Sequence, residues 1–195
     1  LNKIIRFENV LTTINYFSWA KLGQPYMGVG RNMAYKKEEF FNVNGFIDHM
    51  QIRTGDDELF INQAANGKNT TIAFTPESFS ISKPKTSFSE FFNQKRRQIA
   101  TANYFPVMDQ LRLGIFYASQ LTFVLMAAIL LAFQYEWIIV LSIFLVRYIV
   151  AWTVVGFSAG KLKENDIKWW FPIVEIVLIF TQANAYFTNL FSKPI

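Results

Sequence analysis

At 195 residues the chain is long enough for one medium domain, yet 52% of it is apolar and 17% aromatic, and its mean hydropathy of +0.19 is high for a soluble protein. It has no cysteine, which excludes a disulfide framework, thiol catalysis and thiolate metal sites. The formal charge of +5 gathers at Lys83 to Arg97 and at Lys161 to Lys168, beside apolar segments, and so favours anionic lipid headgroups over nucleic acid as a partner.

Residues 1–110 are a mixed stretch with glycine, asparagine and charges, and the apolar excess falls in residues 111–195, with a boundary near Pro106 to Leu111. The chain opens at Leu1 without the basic, apolar, small-residue order of a signal peptide, so a fragment of a longer polypeptide is expected.

From Leu1 to Leu22, Ile4, Ile5, Phe7, Val10, Leu11, Ile14, Phe17 and Trp19 recur at helical spacing and predict an amphipathic helix with a core-packing face. Gly23, Pro25, Gly28 and Gly30 then interrupt regular structure. "MAYKKEEFF" predicts a strand passing into a short helix, closed by Asn44-Gly45. "GVGRN" has neither the later glycine nor the preceding strand of a dinucleotide fingerprint; it predicts a tight loop that brings backbone close to a ligand.

In "TGDDELFINQAANG", residues 54–67, Asp56 or Asp57 suits a helix N-cap and Gly67 a stop. Capping uses one carboxylate. The second sits where the helix dipole favours the ionised form, available as a base. Asp48 beside His49 reads as structural. "NTTIAFTPESF", 69–79, alternates as a strand ended by Pro76. "SEFFNQKRRQIATANYF", 89–105, sets Phe91, Phe92, Ile99, Tyr104 and Phe105 against Lys95, Arg96 and Arg97, the profile of a helix lying in the headgroup region. Such a helix is an anchor, or it also presents Gln94, Arg96 and Arg97 as a fork of donors suited to a diphosphate.

Residues 111–133, 137–157 and 169–191 are each long and apolar enough to cross a hydrocarbon core of about 30 Å. Lys161, Lys163 and Lys168 between the second and third spans, and the basic residues before the first, place residues 1–110 in the cytoplasm by the positive-inside rule, with the C-terminus outside. Trp137, Trp169 and Trp170 suit interfacial anchoring. Arg147 and Glu175 are charges inside spans: either they line a translocation path, or they pair between helices.

The order of "GVGRNMAYKKEEFF…GF", "GDDELF", a stretch ending in "PES", and "QKRR" just before membrane spans resembles the C-terminal half of family 2 glycosyltransferases with a GT-A fold, the membrane-bound group that includes poly-N-acetylglucosamine, hyaluronan and cellulose synthases. The resemblance covers residues 20–112 and is carried by the four motifs in order. It implies an α/β GT-A-type partial domain over residues 1–85, an amphipathic interfacial helix over 86–110, and an α-helical transmembrane region of three spans over 111–195.

It also implies roles. "GDD" at 55–57 is similar to the family's Thr-Glu-Asp motif, making Asp57 the general base, with Asp56 in the glutamate's place at the substrate. "QKRRQ" is similar to Gln-x-x-Arg-Trp, giving Gln94 and Arg97, with Arg96 beside them, as substrate-binding residues. Gln98 stands where the family has tryptophan, which points to transfer of one or a few sugars rather than a long polymer. Gly30 and Asn32 match the loop beside the donor and acceptor sites.

The family's nucleotide-binding half, with its Asp-x-Asp metal motif, has no counterpart here. Mg²⁺ or Mn²⁺ is therefore expected in the intact enzyme on ligands outside this chain, and the fragment alone is expected to be inactive. The implied activity is membrane-bound, inverting transfer of a sugar from a nucleotide-sugar donor to a lipid-linked or glycan acceptor, at the cytoplasmic face of the inner membrane. The alternative is a non-catalytic membrane scaffold subunit of a larger complex. A transporter using Arg147 and Glu175 is disfavoured by three spans without an inverted repeat.

Overall fold

In the computed structural model, which describes residues 1–52 and 54–194, the α-helices are α1 (Asn2–Lys21), α2 (Lys37–Asn42), α3 (Asp56–Ala64), α4 (Phe88–Thr101), α5 (Val107–Ala132), α6 (Trp137–Lys161) and α7 (Ile167–Phe191), joined by loops and short 3₁₀ turns.

The expected α/β GT-A-type domain is not formed: the structure is 71% helical, with no strand among the described residues. The physical reason is pairing. Thr70 to Phe74 have the alternation of a strand, but no neighbouring extended segment offers hydrogen bonds, and a lone strand is not stable in water. Phe74 instead lies near the Lys161 ammonium, 6.0 Å from the ring centroid. The strand expected in "MAYKKEEFF" is likewise absent. Its second half is α2, with Glu38 and Glu39 in the first turn, where the helix dipole favours them.

Three helices, α5, α6 and α7, are long and apolar enough to cross a membrane. At 25 and 26 residues they extend roughly 38 Å at 1.5 Å per residue, and a helix satisfies its own backbone where no water can. Trp137, Trp169 and Trp170 lie exposed at helix starts, as interfacial anchoring requires.

α7 is the hub, packed against α1, α4, α5 and α6. Phe7 and Val10 of α1 meet Val155 and Ala159 of α6 and Ile167, Phe171, Val174 and Leu178 of α7 in one buried cluster. Burying Phe7 and Val10 away from water contributes about 1.5–3 kcal/mol each. The expected core-packing face of α1 is therefore real, and it is the membrane-type helices that it covers.

Charges fix the register. Arg6 grips Asp166 through two bonds, Nη1 to Oδ2 at 3.0 Å and Nη2 to Oδ1 at 2.5 Å, and also reaches Glu164 (2.6 Å), while Lys3 pairs with Asp166. These bonds hold the Asp166 carboxyl well below the usual carboxylate range. At the far end of α7, Arg96 donates to Asn189 Oδ1 (2.9 Å) and to the Ser192 carbonyl (2.7 Å), and Asn189 Nδ2 donates back to the Arg96 carbonyl (2.8 Å). A cation beside terminal carbonyls complements the helix dipole. Lys95 pairs with Glu8 of α1, both buried.

Of the fork expected from Gln94, Arg96 and Arg97, Arg96 is thereby engaged within the protein. Lys95 and Arg96 are each 8% exposed and point into the protein, because buried partners on α1 and α7 are available to them.

Arg147 and Glu175 form the interhelical pair, at 2.8 and 2.9 Å, with the guanidinium 5.5 Å from the Phe123 ring centroid. Pro172, six residues into α7, cannot donate to the Lys168 carbonyl four residues before it. Trp152 Nε1 donates to that oxygen instead (2.6 Å), and Tyr148 Oη donates to the Pro172 carbonyl (2.6 Å). The α6–α7 hairpin is thus bonded where the helix could not bond itself.

Candidate functional site around Asp57

The glycine ahead of the carboxylates decides the local geometry. Gly55, not an aspartate, is the N-cap of α3, in the left-handed region at φ 84°, and Asp56, Asp57 and Glu58 occupy the first turn. A Cβ on Gly55 would lie 2.2 Å from Thr101 Cγ2, so only glycine fits both the conformation and the contact. Thr54 and Thr101 hydroxyls meet at 3.2 Å. The "GDD" turn is in this way seated on the C-terminal end of α4, one helical turn after Arg97.

Asp57 uses both oxygens. Oδ1 accepts from the Glu58 N–H (3.0 Å) and Oδ2 accepts from the Gly30 N–H (2.6 Å). A Cβ on Gly30 would stand 3.0 Å from that same Oδ2, so the close approach of "GVGRN" needs the missing side chain. Asp56 is exposed beside it, and Asn32 is exposed in the 3₁₀ turn Gly30–Asn32.

Two of the four motifs therefore meet, the glycine loop and the acidic turn, and the turn rests on Thr101 at the end of α4. Compared with protein-family models, curated proteins and solved structures, the chain matches none.

Of the expected substrate-binding residues, Gln94 and Arg97 are half-buried on α4. Arg96 is turned away to α7. Among the described residues no group of three His, Cys, Asp or Glu side chains stands together to hold a metal ion, so these residues do not fit a divalent cation. Asp48 accepts from Gln63 Nε2 (2.8 Å), and His49 is buried apart from the carboxylates of α3.

Two groups near Asp57 escape a reading of the sequence. Glu58 is pushed up to about 7, first by burial and then by the neighbouring Asp57, with Lys95 opposing. The run of three acids starting a helix signals like-charge crowding, but not which member is buried. Thr101 carries no motif at all, and only the contact with Gly55 reveals it.

Proposed function

We propose that the chain forms the acceptor-activating, membrane-embedded part of an inverting glycosyltransferase, moving a sugar from a nucleotide-sugar donor to a lipid-linked or glycan acceptor. The observation that carries this reading is the Asp57 carboxylate, fixed by the Gly30 and Glu58 N–H groups at the meeting point of the glycine loop, the acidic turn and α4.

In the proposed step, the acceptor hydroxyl gives its proton to Asp57 as its oxygen bonds to the anomeric carbon. The bond from that carbon to the nucleotide diphosphate breaks, and the electron pair leaves with the phosphate. Arg97 and Gln94 on α4 would receive the charge that develops there. Contacts of Lys3 and Arg6 with the residues linking α6 to α7, and of Phe74 with Lys161, keep the N-terminal region at the lysine-bearing end of that hairpin. The positive-inside rule makes that the cytoplasmic side.

A second reading, the non-catalytic scaffold, draws on the engagement of Lys95 and Arg96 by α1 and α7, which turns half of the basic motif to structural use. One experiment separates the two. Asp57→Asn in the complete membrane polypeptide, assayed by transfer of labelled sugar from nucleotide sugars, should lose activity by roughly 10²–10⁴-fold, with thermal unfolding lowered only by the one N–H bond that the amide nitrogen cannot accept. A wild-type polypeptide that transfers no sugar would leave the scaffold standing, and transfer by Asp57→Asn at the wild-type rate would remove Asp57 as the base.

A further inference from the structure

From Lys168 to Glu175, α7 runs back along α6. Trp152 donates to the Lys168 carbonyl, Tyr148 to the Pro172 carbonyl, and Arg147 pairs with Glu175. The Arg147 guanidinium also lies over Phe123 of α5, which puts Glu175 level with Phe123 in the bundle. A third crossing would continue from there toward the turn at 134–136. Gln182, seven residues on, would rise roughly 10 Å and meet α5 near Leu130. It is hydrogen-bonded instead to Tyr117, on the other side of Phe123 and nearer the start of α5.

The last turns of α7 complete the return. Asn189 and Ser192 are bonded to Arg96 of α4, the helix that precedes α5. From Arg96 the chain has only the end of α4, a 3₁₀ turn and Phe105-Pro106 before α5 begins at Val107. Laid end to end these span at most roughly 25 Å, less than the length of α5, so α4 cannot stand at the far end of the hairpin. Both ends of α7 lie where α5 starts and α6 stops.

The helix has two faces. Phe171, Val174, Leu178 and Ala185 are buried on one. At 100° per residue, Trp169, Ile173, Ile176, Phe180, Phe187 and Leu190 fall within about 100° on the other, and all six are exposed. An uncharged aromatic stripe along a whole helix is a surface that water does not cover well. The neighbouring outward faces of α5 and α6 are of the same apolar kind, and α7 extends them around the base of the hairpin. Lys168 and Lys193 flank the stripe, as cations flank a helix held at the headgroup boundary. With both ends of α7 on one side, Lys193 joins Lys161, Lys163 and Lys168 there, in keeping with the positive-inside rule; a third crossing would carry it away from them.

We propose that α7 does not cross the membrane but lies within the leaflet on the side of α4, its exposed stripe against lipid and its buried face against α1, α4 and α6. The chain then crosses twice, through α5 and α6, and its C-terminus is on the side of residues 1–105. This lipid-binding surface is independent of the role given to Asp57.

A chain without cysteine suits a test of sidedness. Lys85→Cys, Tyr135→Cys and Lys193→Cys, all at exposed positions, are made singly in the full chain, expressed in bacterial spheroplasts and treated with a membrane-impermeant maleimide before and after lysis. The thiol at 193 is expected to label under the same condition as that at 85 and under the opposite condition from that at 135. Labelling of 193 with 135, or of 85 with 135, would overturn the proposal. The stripe is read separately in vesicles of phosphatidylcholine and phosphatidylglycerol, with spin labels on Ile173→Cys and Phe187→Cys. Both labels should be open to oxygen, closed to a water-soluble nickel chelate, and at similar depth in one leaflet. A crossing helix would set them roughly 20 Å apart in depth, and exclusion of oxygen from both would show protein, such as a second copy of the chain, over the stripe; either result would overturn the proposal.

Discussion

The α5–α6 hairpin and α7 are alike in length and in apolar character, yet the structure treats them differently. In the most apolar stretch of α5 and of α6 only 6% of residues are buried in protein, against 39% in α7. Side chains such as Ile143, Val146 and Val150 point outward, where lipid tails would meet them, while Phe171, Val174 and Leu178 are enclosed by α1 and α6. Apolarity therefore serves two solvents in one molecule. In the hairpin it matches a bilayer, and in α7 much of it matches other helices, with Glu175 sheltered among them by Arg147.

The contrast can be broken most forcefully at the buried charge. Arg147→Leu alone strands Glu175 in an apolar setting and should cost about 3–5 kcal/mol in unfolding measured in detergent micelles. Leu at both positions should restore wild-type stability or exceed it. If the single and double variants behave alike, the pair does not hold α6 to α7.

The packing difference is read next. Leu178→Ala should cost about 2–5 kcal/mol, because a cavity opens among α1, α6 and α7. Ile143→Ala, exposed on α6, should change stability by less than about 0.5 kcal/mol. Equal losses would mean that α6 is as enclosed as α7.

Outside the spans, Glu58 tests how α3 sits beside α4. Its carboxyl is pushed up to about 7, so the folded state binds more protons than the unfolded state above the ordinary glutamate range. Stability should therefore fall as pH rises from about 4.5 to 7, by about 2 kcal/mol in urea titrations. Glu58→Gln should flatten that part of the profile and be the more stable protein at pH 7.5. A wild-type profile that is already flat would place Glu58 in water.

A smaller loss than at Leu178 is expected at the proline of α7. Trp152→Phe leaves the Lys168 carbonyl without its indole donor and should cost about 1 kcal/mol. No change would show that another donor reaches that oxygen.

Much of this was legible along the chain. The helical spacing of Ile4 to Trp19, the run "DELFINQA" and the three long apolar stretches each became a helix within a few residues of the expected bounds. The strands were not legible. Alternation over Thr71 to Phe74 reports which sides a strand would present, but not whether a partner strand exists, and here none does among the described residues. The carboxylate site was half legible. Asp57 and Gly30 stood out by residue type, whereas their 2.6 Å bond, the seat of Gly55 on Thr101 and the burial of Glu58 join segments far apart in sequence.

Apolar length and the 3.6-residue period were enough to specify the long helices, since both act within one segment and need no knowledge of its neighbours. Which charges would be engaged was settled only in three dimensions. Lys95 and Arg96 belong on paper to the basic, headgroup-facing side of a helix, but a buried cation is tolerated only where a distant carboxylate or carbonyl meets it, and Glu8, Asn189 and Ser192 are brought there by the packing of α1 and α4 on α7.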